Sequence, residues 1–416
     1  MTDIDADVIV VGAGIAGLRC AAALRRRGFT VRVVEAAESP GGRIRTDVVD
    51  GFRCDRGFQL LNPSYPAVKR HVDVSALDLR VAGRGVRIVD DSGRAHTVAD
   101  PTRHPGLLLG TVRSAARLGL LHPRAVVGAA RWALPAVGPV RRLATAPDAA
   151  LADDWDRVGL RGPLRSALLA PFLSGVLADG VGDTSDRYVR LVLRSFLLAT
   201  PGVPNRGMQA FPEQLAREAG VDIAYSSRVE QVTDGSAPAV RIADGAVLRA
   251  RAVVVATDAR GAEDLTGTRT SPMRGLSTWW FEADAAESDE FLRISGTGGV
   301  VVNTAEMSSI APGYAPTGKT LVQATTLLDD AGPAEESVVR AVLDRLWGRS
   351  TSSWRVIVRH DVRHALPVQA PGTSLRRSLR IGDRVLLAGD HRDTPSIQGA
   401  LVSGGRAAAE VARLLG

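Results

Sequence analysis

The chain has 416 residues, 45% apolar and 23% charged, a composition typical of a globular protein large enough for two domains. Aromatic residues make up only 4%, so the net charge of +7 does not indicate a nucleic-acid-binding protein, which would pair its cations with stacking rings. The sequence contains no apolar run long enough to cross a bilayer, no metal-ligand spacing and no internal repeat.

The start of the chain favours a cytoplasmic protein. MTDIDADVIV is acidic and enters the first predicted strand at once, which is not the pattern of a signal peptide. The two cysteines are Cys20 and Cys54, and we expect both to be reduced thiols.

The first predicted elements are a strand, a tight turn and a helix. Residues 8–11, VIVV, form an unbroken apolar run, as expected of a parallel strand buried on both faces. Gly12, Gly14 and Gly17 follow as G-x-G-x-x-G, where the first allows the turn, the second lets a pyrophosphate approach the backbone and the third lets helix pack on strand. The helix opens at Ile15 and Ala16, and its N-terminal N–H groups point towards the phosphate site.

A second strand and an acid complete the pattern of a dinucleotide site. The predicted helix ends at Gly28, residues 30–34 read as a strand, and Glu35 stands at its end. This carboxylate lies where the dinucleotide-binding pattern holds a ribose hydroxyl. The following loop, AAESPGGRIRT (36–46), distinguishes FAD from NAD. A plain NAD site does not need a second glycine pair and an arginine here. In an FAD site, the backbone N–H groups of this loop and the arginine can contact the extended cofactor. The loop residues expected to contact FAD are Ala36, Gly41, Gly42 and Arg43.

Two stretches in the middle of the chain predict amphipathic helices, residues 106–121 and 162–178. Between residues 103 and 142, seven arginines are interspersed among the apolar residues. They form either ordinary exposed helix faces or a surface for peripheral contact with an anionic membrane, at the inner face of the membrane for a cytoplasmic protein. These arginines are Arg103, Arg113, Arg117, Arg124, Arg131, Arg141 and Arg142.

The later part of the chain predicts strands and a C-terminal helix. Strand-like runs occupy residues 278–283, 299–303, 319–325 and 354–359, and Asp244-Gly245 is a hairpin turn. Residues 385–388 predict a buried strand that ends at Gly389, followed by Asp390, which can accept a hydrogen bond from a ribityl hydroxyl. The helix after it carries small residues on its first turns, which would let backbone N–H groups approach the negative charge of a reduced flavin. These small residues are Gly399, Ala400, Ser403 and Gly404.

Four segments together resemble one known group of proteins. Residues 7–46, DVIVVGAGIAGLRCAAALRRRGFTVRVVEAAESPGGRIRT, resemble the opening of the superfamily of flavin-containing amine oxidases and phytoene desaturases. RGMQAFPEQLA (206–216), GAVLRARAVVVATD (245–258) and RVLLAGDHRDTPSIQGALVSGGRAAAEV (384–411) are similar to later motifs of that superfamily. The resemblance implies an FAD-dependent oxidoreductase.

The resemblance also implies an α/β fold with a Rossmann-like FAD-binding domain of the two-dinucleotide-binding-domain type and an interleaved α+β substrate domain. Residues 1–75, 205–262 and 365–416 would form the discontinuous FAD-binding domain, and residues 76–204 and 263–364 the substrate-binding domain. Val229 would contact adenine through its main chain, and Ile397, Gln398 and Ala400 would lie at the flavin.

Within the superfamily, the sequence favours the desaturase branch. Amine oxidases commonly carry an aromatic residue where this chain has Ser396, and a lysine near flavin N5 in the strand aligned with residues 275–281, which contain none. No cysteine lies near HALPVQAPG (364–372), so we expect non-covalent FAD. TPSIQGALVSGGRAA (394–408) and CDRGFQLLNPSYP (54–66) are similar to carotenoid desaturases, which implies an apolar, isoprenoid-like substrate.

Two residues are candidates for a direct role in the reaction. Gln59 can hydrogen-bond to substrate or flavin, or make a structural contact, and His364 can act as an acid or base near the flavin, or be a structural histidine. Three functions stay open: a dehydrogenase or desaturase that transfers a hydride equivalent between flavin N5 and an apolar substrate, an amine oxidase with an atypical pocket, and a non-redox FAD-dependent isomerase.

Overall fold

The computed structural model describes residues 4–329 and 332–416. The strands of this part of the chain are β1 (Ala6–Val11), β2 (Val31–Val34), β3 (Thr46–Val49), β4 (Phe52–Asp55), β5 (Leu79–Val81), β6 (Gly85–Val89), β7 (Ala95–Ala99), β8 (Gly202–Pro204), β9 (Asp222–Ala224), β10 (Val229–Thr233), β11 (Ala239–Ile242), β12 (Val247–Val255), β13 (Met273–Ala283), β14 (Leu292–Ser295), β15 (Val301–Glu306), β16 (Thr320–Leu328), β17 (Arg355–Pro367) and β18 (Val385–Leu387).

The α-helices of the same residues are α1 (Ile15–Arg25), α2 (Pro66–His71), α3 (Leu108–Arg117), α4 (Pro123–Val137), α5 (Val140–Ala144), α6 (Leu151–Val158), α7 (Ala170–Leu177), α8 (Asp186–Leu198), α9 (Ala210–Ala219), α10 (Ala259–Thr266), α11 (Met307–Ile310), α12 (Glu336–Trp347) and α13 (Ile397–Leu415). Short 3₁₀ turns occupy Pro105–Leu107, Pro312–Tyr314 and Asp390–Arg392. In the described residues, no helix is long and apolar enough to cross a membrane.

The first sheet has the strand order β10-β11-β12-β1-β2-β9, and β18 also pairs with β12. Strand β1 is parallel to both β12 and β2, and β10, β11 and β12 form an antiparallel meander. Val8 and Val10 pack into the core on one face of the sheet, and Ile9 and Val11 pack into the core on the other. The unbroken apolar run therefore reflects a strand buried on both faces, as the sequence predicts. Residues 243–246 turn between β11 and β12, which confirms the hairpin at Asp244-Gly245.

The second sheet has the order β17-β13-β16-β15-β14-β6-β7 and is antiparallel except at the β14–β6 pair. Each of the four strand-like runs that the sequence predicts after residue 263 overlaps one of its strands, and three of these strands begin one or two residues later than predicted. The α/β class is thus as predicted. The first sheet draws its strands from the three segments expected for the FAD-binding domain. The proposed division into domains stays a prediction.

Helices α4, α6, α7 and α8 share a separate apolar core that contains Trp132, Trp155 and Tyr188. The predicted helix at 162–178 differs in detail: residues Leu164–Leu169 form a π-helical stretch and only Ala170–Leu177 is α-helical. Periodicity could not separate these two forms, because both present an apolar face to the same core.

Candidate active site

A cavity of about 1330 Å³ connects the C-terminal end of β1 in the first sheet with the helices that pack beside the second sheet. Glycines, Glu35 and Asp390 line one part of it. Apolar side chains of α7 and the residues just before it, of α8, of β14 and of α11 line another part, which we call the apolar chamber. The chamber residues are Leu168, Leu169, Phe172, Val176, Val192, Phe196, Leu292, Met307 and Ile310.

The three glycines of the first turn have three distinct surroundings. Gly12 has a φ of +104°, a conformation that strains other residues, and a Cβ there would lie 3.0 Å from the carbonyl oxygen of Ala256. At Gly17 a Cβ would lie 2.0 Å from the carbonyl oxygen of Gly12, so this glycine lets α1 pack on the turn. At Gly14 a Cβ would meet nothing within 4 Å. Gly14 lines the cavity while Gly17 does not, so the open space lies where a pyrophosphate is expected.

Glu35 is buried at the end of β2 and its carboxylate is held by two backbone N–H groups. Oε2 accepts from Ala13 N at 2.6 Å and Oε1 accepts from Ala37 N at 2.8 Å. Each carboxylate oxygen retains a second lone pair, so both can still accept from a ribose. Glu35 and Ala36 line the cavity, and so does Val229 at the start of β10.

The second glycine pair and Arg43 connect three distant segments. Gly41 N donates to Ala13 O at 2.9 Å, which places the loop against the first glycine turn. Arg43 donates from Nη2 to Asp390 Oδ1 at 2.6 Å and from Nη1 to Ala365 O at 2.9 Å. Burial disfavours the guanidinium charge, but the Asp390 carboxylate outweighs it and raises the pKa of Arg43 above its ordinary value. Asp390 itself is 4% exposed and lines the cavity with Gly41, Gly42 and Gly389.

The small residues of α13 serve mainly to pack the helix against other segments. A Cβ at Gly399 would lie 1.8 Å from Thr394 O, and one at Gly404 would lie 2.2 Å from Ala16 O. Ser403 Oγ accepts a hydrogen bond from Gly389 N at 2.7 Å. These three residues are therefore small because protein backbone is close, which corrects the sequence interpretation that they open towards the flavin.

At the start of α13, Ile397 and Ala400 line the cavity. Gln398 is not among the lining residues, because its Oε1 accepts from Ala67 N at the start of α2. Gln398 therefore does not meet the expectation of a cofactor contact.

The two candidate reaction residues have different positions. Gln59 lines the cavity. Its Nε2 donates to Arg43 O at 2.9 Å, and its Oε1 is buried without a partner. His364 is exposed on β17 and is not among the residues that line the cavity. The β13–β17 ladder is irregular between Val362 and Leu366, and Ala365 lines the cavity with these two residues while His364 does not, so the structure does not support an acid or base role for His364.

Sequence reasoning missed several residues of the site. Tyr65 and Tyr188 line the cavity, and the Tyr188 hydroxyl donates to Pro395 O at 2.5 Å, next to Ser396. His391, directly after Asp390, is 1% exposed and is not among the residues that line the cavity; burial lowers its pKa to about 4, so the ring is neutral at pH 7. Asn303 on β15 lines the cavity. Tyr65 belongs to CDRGFQLLNPSYP (54–66), the segment that resembles carotenoid desaturases. Tyr188 and Asn303 belong to no local motif, so only the folded chain brings these two residues to the site.

The residues present fit FAD. Space is open above Gly14 at the first turn, the Glu35 carboxylate faces the same cavity, and the start of α13 lines it at Ile397 and Ala400. One cavity thus holds a glycine turn at the end of a parallel strand and an apolar chamber beside the second sheet. This combination defines the class of flavoprotein oxidoreductases.

The sequence profile described as "Flavin containing amine oxidoreductase" matches residues 15–412. The chain therefore belongs to that family, and it falls in the class of FAD-dependent oxidoreductases.

Relatives of known activity come from both branches of the family. The chain is 29% identical over 286 residues to a zeta-carotene-forming phytoene desaturase of Myxococcus xanthus, an alignment that covers 60% of this chain and 53% of the relative. It is 42% identical over 77 residues to a putrescine oxidase of Kocuria rosea, which covers 18% of this chain and 16% of that enzyme. The first curated relatives are thus matched over about half of their length or less.

The fold is shared with solved structures along the whole chain. A double mutant of a putrescine oxidase superimposes with a TM-score of 0.71 and 19% sequence identity, and covers 99% of both chains. This likeness shows the fold and leaves the substrate open.

Proposed function

We propose that the protein transfers a hydride equivalent between flavin N5 and an extended apolar substrate of the isoprenoid type, as a desaturase or dehydrogenase. The observation that carries this proposal is the apolar chamber, which opens into the same cavity as the glycine turns and Asp390. Burying a long hydrocarbon against such side chains is favourable by about 25 cal/mol per Å² of apolar surface. A chain-like molecule in the chamber can place one carbon–carbon bond over the flavin ring.

The charges around the chamber disfavour a small amine. Two carboxylates of the cavity lining are already paired with arginines: Asp100 Oδ2 lies 3.0 Å from Arg84 Nε, and Asp390 Oδ1 lies 2.6 Å from Arg43 Nη2. Ser396, at the position where an aromatic cage residue is common, uses its hydroxyl to accept from Gly399 N at the start of α13. A buried ammonium needs a counter-charge or a ring face, and the carboxylates of Asp100 and Asp390 are each already paired with an arginine.

FAD, when bound, supplies the hydride-accepting or hydride-donating ring. The chain's own residues hold it in place. Glu35 would accept from the adenosine ribose and the turn at Gly14 would admit the pyrophosphate, while the Arg43–Asp390 pair fixes the loop after β2 against the C-terminal motif. Chamber side chains exclude water from the reacting bond.

We also propose that FAD is bound non-covalently. Cys20 and Cys54 are buried and neither is among the residues that line the cavity. Burial raises the pKa of the Cys20 thiol to about 12, so the sulfur stays protonated and unreactive.

One observation is compatible with the amine oxidase alternative as well as with the proposed function. Tyr65 and Tyr188 bring two phenol rings to the cavity near Ser396, and a ring face can attract an amine. Both rings also suit a polyene, since they are large apolar surfaces, so the tyrosines fit either substrate.

Anaerobic spectroscopy of the FAD-loaded protein tests the proposal. We expect long isoprenoid compounds to bleach the flavin or to shift its spectrum, and benzylamine and tyramine to reduce it slowly. Rapid bleaching by a small primary amine would favour the amine oxidase instead. Turnover of an isoprenoid without net electron transfer would identify an isomerase.

We further propose that helices α3, α4 and α5 dock on an anionic lipid surface at the inner face of the membrane. Apolar side chains in this region are strongly exposed, with Leu109 at 70%, Leu134 at 66% and Val137 at 68%. All seven arginines between residues 103 and 142 are exposed as well. Apolar side chains that can enter the acyl boundary, together with cations that attract anionic headgroups, are the features of an interfacial helix. A hydrogen bond from Ala99 N to Thr111 Oγ1 at 3.2 Å joins α3 to the strand that borders the cavity.

Vesicle co-sedimentation tests this docking. We expect binding to vesicles that contain phosphatidylglycerol and little binding to neutral phosphatidylcholine vesicles. The variant Leu109→Glu/Leu134→Glu should lose binding, whereas the matched control Val247→Glu, at an exposed valine on β12, should keep it. Equal sedimentation of both variants would refute the proposed surface.

A further inference from the structure

An amide side chain stands at the wall of the cavity where its neighbours in the lining are apolar. Asn303 on β15 is 4% exposed, and its Oδ1 is buried without a hydrogen-bond partner among the described residues. Residues that line the same cavity include Phe172 and Val176 of α7 and Met307 just after β15.

The fold makes room for this amide. A Cβ on Gly175 of α7 would lie 2.4 Å from Nδ2 of Asn303 and 3.6 Å from Cγ2 of Val302. Helix α7 can therefore pass this close to β15 only because residue 175 has no side chain. A leucine or valine at position 303 would give an uninterrupted apolar wall, yet the chain places an amide there.

The other amides that line the cavity are engaged by the protein. Gln59 donates from Nε2 to Arg43 O, and Asn62 accepts at Oδ1 from Ser64 N at 2.8 Å, so each is held by one hydrogen bond although Gln59 Oε1 and Asn62 Nδ2 are also buried without a partner. No such bond holds the side chain of Asn303 within the described residues. A buried polar group without a partner is costly, and in native proteins it calls for an explanation. A ligand in the chamber is the partner that the geometry offers.

We propose that Asn303 binds an oxygen atom of the substrate and so sets its specificity: the substrate is a long apolar molecule that carries one hydroxyl or carbonyl group. This inference rests on the proposed function and narrows its substrate class. An amide suits either oxygen group, because Nδ2 donates to a carbonyl or hydroxyl oxygen and Oδ1 accepts from a hydroxyl hydrogen. The contact orients the substrate along the chamber, since the remaining wall is apolar.

Binding measurements on the FAD-loaded, full-length protein test the inference. The probes are geranylgeraniol and phytane, an alcohol and a hydrocarbon with the same number of carbon atoms, and dissociation constants are taken from the change in flavin absorbance. We expect the wild type to bind the alcohol about tenfold more tightly than the hydrocarbon. Asn303→Leu should abolish this preference while its melting temperature stays at or above that of the wild type, because the removed amide has no protein partner.

Two further variants keep the test decisive. Gln231→Leu removes an exposed amide from β10 and should keep the preference. Gly175→Ala adds a methyl group 2.4 Å from Nδ2 of Asn303, so it should displace the amide and weaken binding of the alcohol more than that of the hydrocarbon.

The outcomes separate the two proposals. Equal binding of both probes by the wild type, a retained preference in Asn303→Leu, or a markedly lower melting temperature in that variant than in Gln231→Leu would overturn the role of Asn303 alone. Failure of the wild type to bind either probe would overturn this role together with the apolar substrate on which it rests.

Discussion

Replacing Gly14 by alanine separates cofactor binding from folding. Gly14 has φ −71° and ψ 176°, a conformation open to alanine, and the added methyl would meet no protein atom within 4 Å. The stability of the apoprotein should therefore change by less than about 1 kcal/mol. The methyl instead enters the space where the pyrophosphate approaches the backbone. Overpacking of this kind costs about 1–3 kcal/mol, which weakens FAD binding about 5- to 150-fold.

Gly17→Ala should behave differently, because its methyl would lie 2.0 Å from the carbonyl oxygen of Gly12. This clash is within the protein, so the apoprotein itself should lose about 1–3 kcal/mol of stability. Gly106→Ala, at an open position outside the cavity lining, is the matched control for the glycine-to-alanine change. The assay combines thermal unfolding of the apoprotein with titration of FAD followed by flavin fluorescence. An unchanged FAD dissociation constant in Gly14→Ala would refute the placement of the pyrophosphate.

Three further outcomes are expected. Glu35→Ala should weaken FAD binding by about 1.5–3 kcal/mol, measured as FAD retained on dialysis, and full retention would show that Glu35 only anchors the backbone N–H groups it accepts from. Acid precipitation should release all flavin into the supernatant, and flavin left on the precipitated chain would disprove non-covalent binding. Burial raises the pKa of Asp55 from 3.8 to about 6, so the folded state holds this proton more tightly than the unfolded state. The stability that this proton contributes is complete below about pH 4 and is lost as the pH rises through 6. Between pH 4 and pH 7 the unfolding free energy of the wild type should therefore fall by about 2.5 kcal/mol relative to Asp55→Asn, and parallel pH profiles would contradict the burial of that carboxyl.

The parts of the site that could be predicted from sequence are those made by neighbours along the chain. The glycine turn, the strand after it and Glu35 follow one another within a single βαβ unit, so their spacing alone indicates their arrangement. The C-terminal strand and helix are equally local. Both predictions needed only the periodicity of apolar residues and the positions of glycines.

The contacts that sequence could not give are those between distant segments. Arg43 and Asp390 are 347 residues apart, and their ion pair depends on how the loop after β2 meets the C-terminal motif. Small residues on α13 suggested a close cofactor, but the backbone of α1 lies against Gly404 instead, a packing that spacing along one helix cannot reveal. Which side chains of β15 face the cavity depends on a register shift between Val301 and Asn303.

A structure of the protein with FAD and a long isoprenoid alcohol tests the central claim most directly. The account predicts the adenosine ribose at Glu35, the pyrophosphate over Gly14 and the flavin ring beside Arg43, Asp390 and Ala400, with the hydrocarbon chain along Phe172 in the same cavity. A flavin found elsewhere, or a hydrocarbon bound outside the chamber, would contradict it.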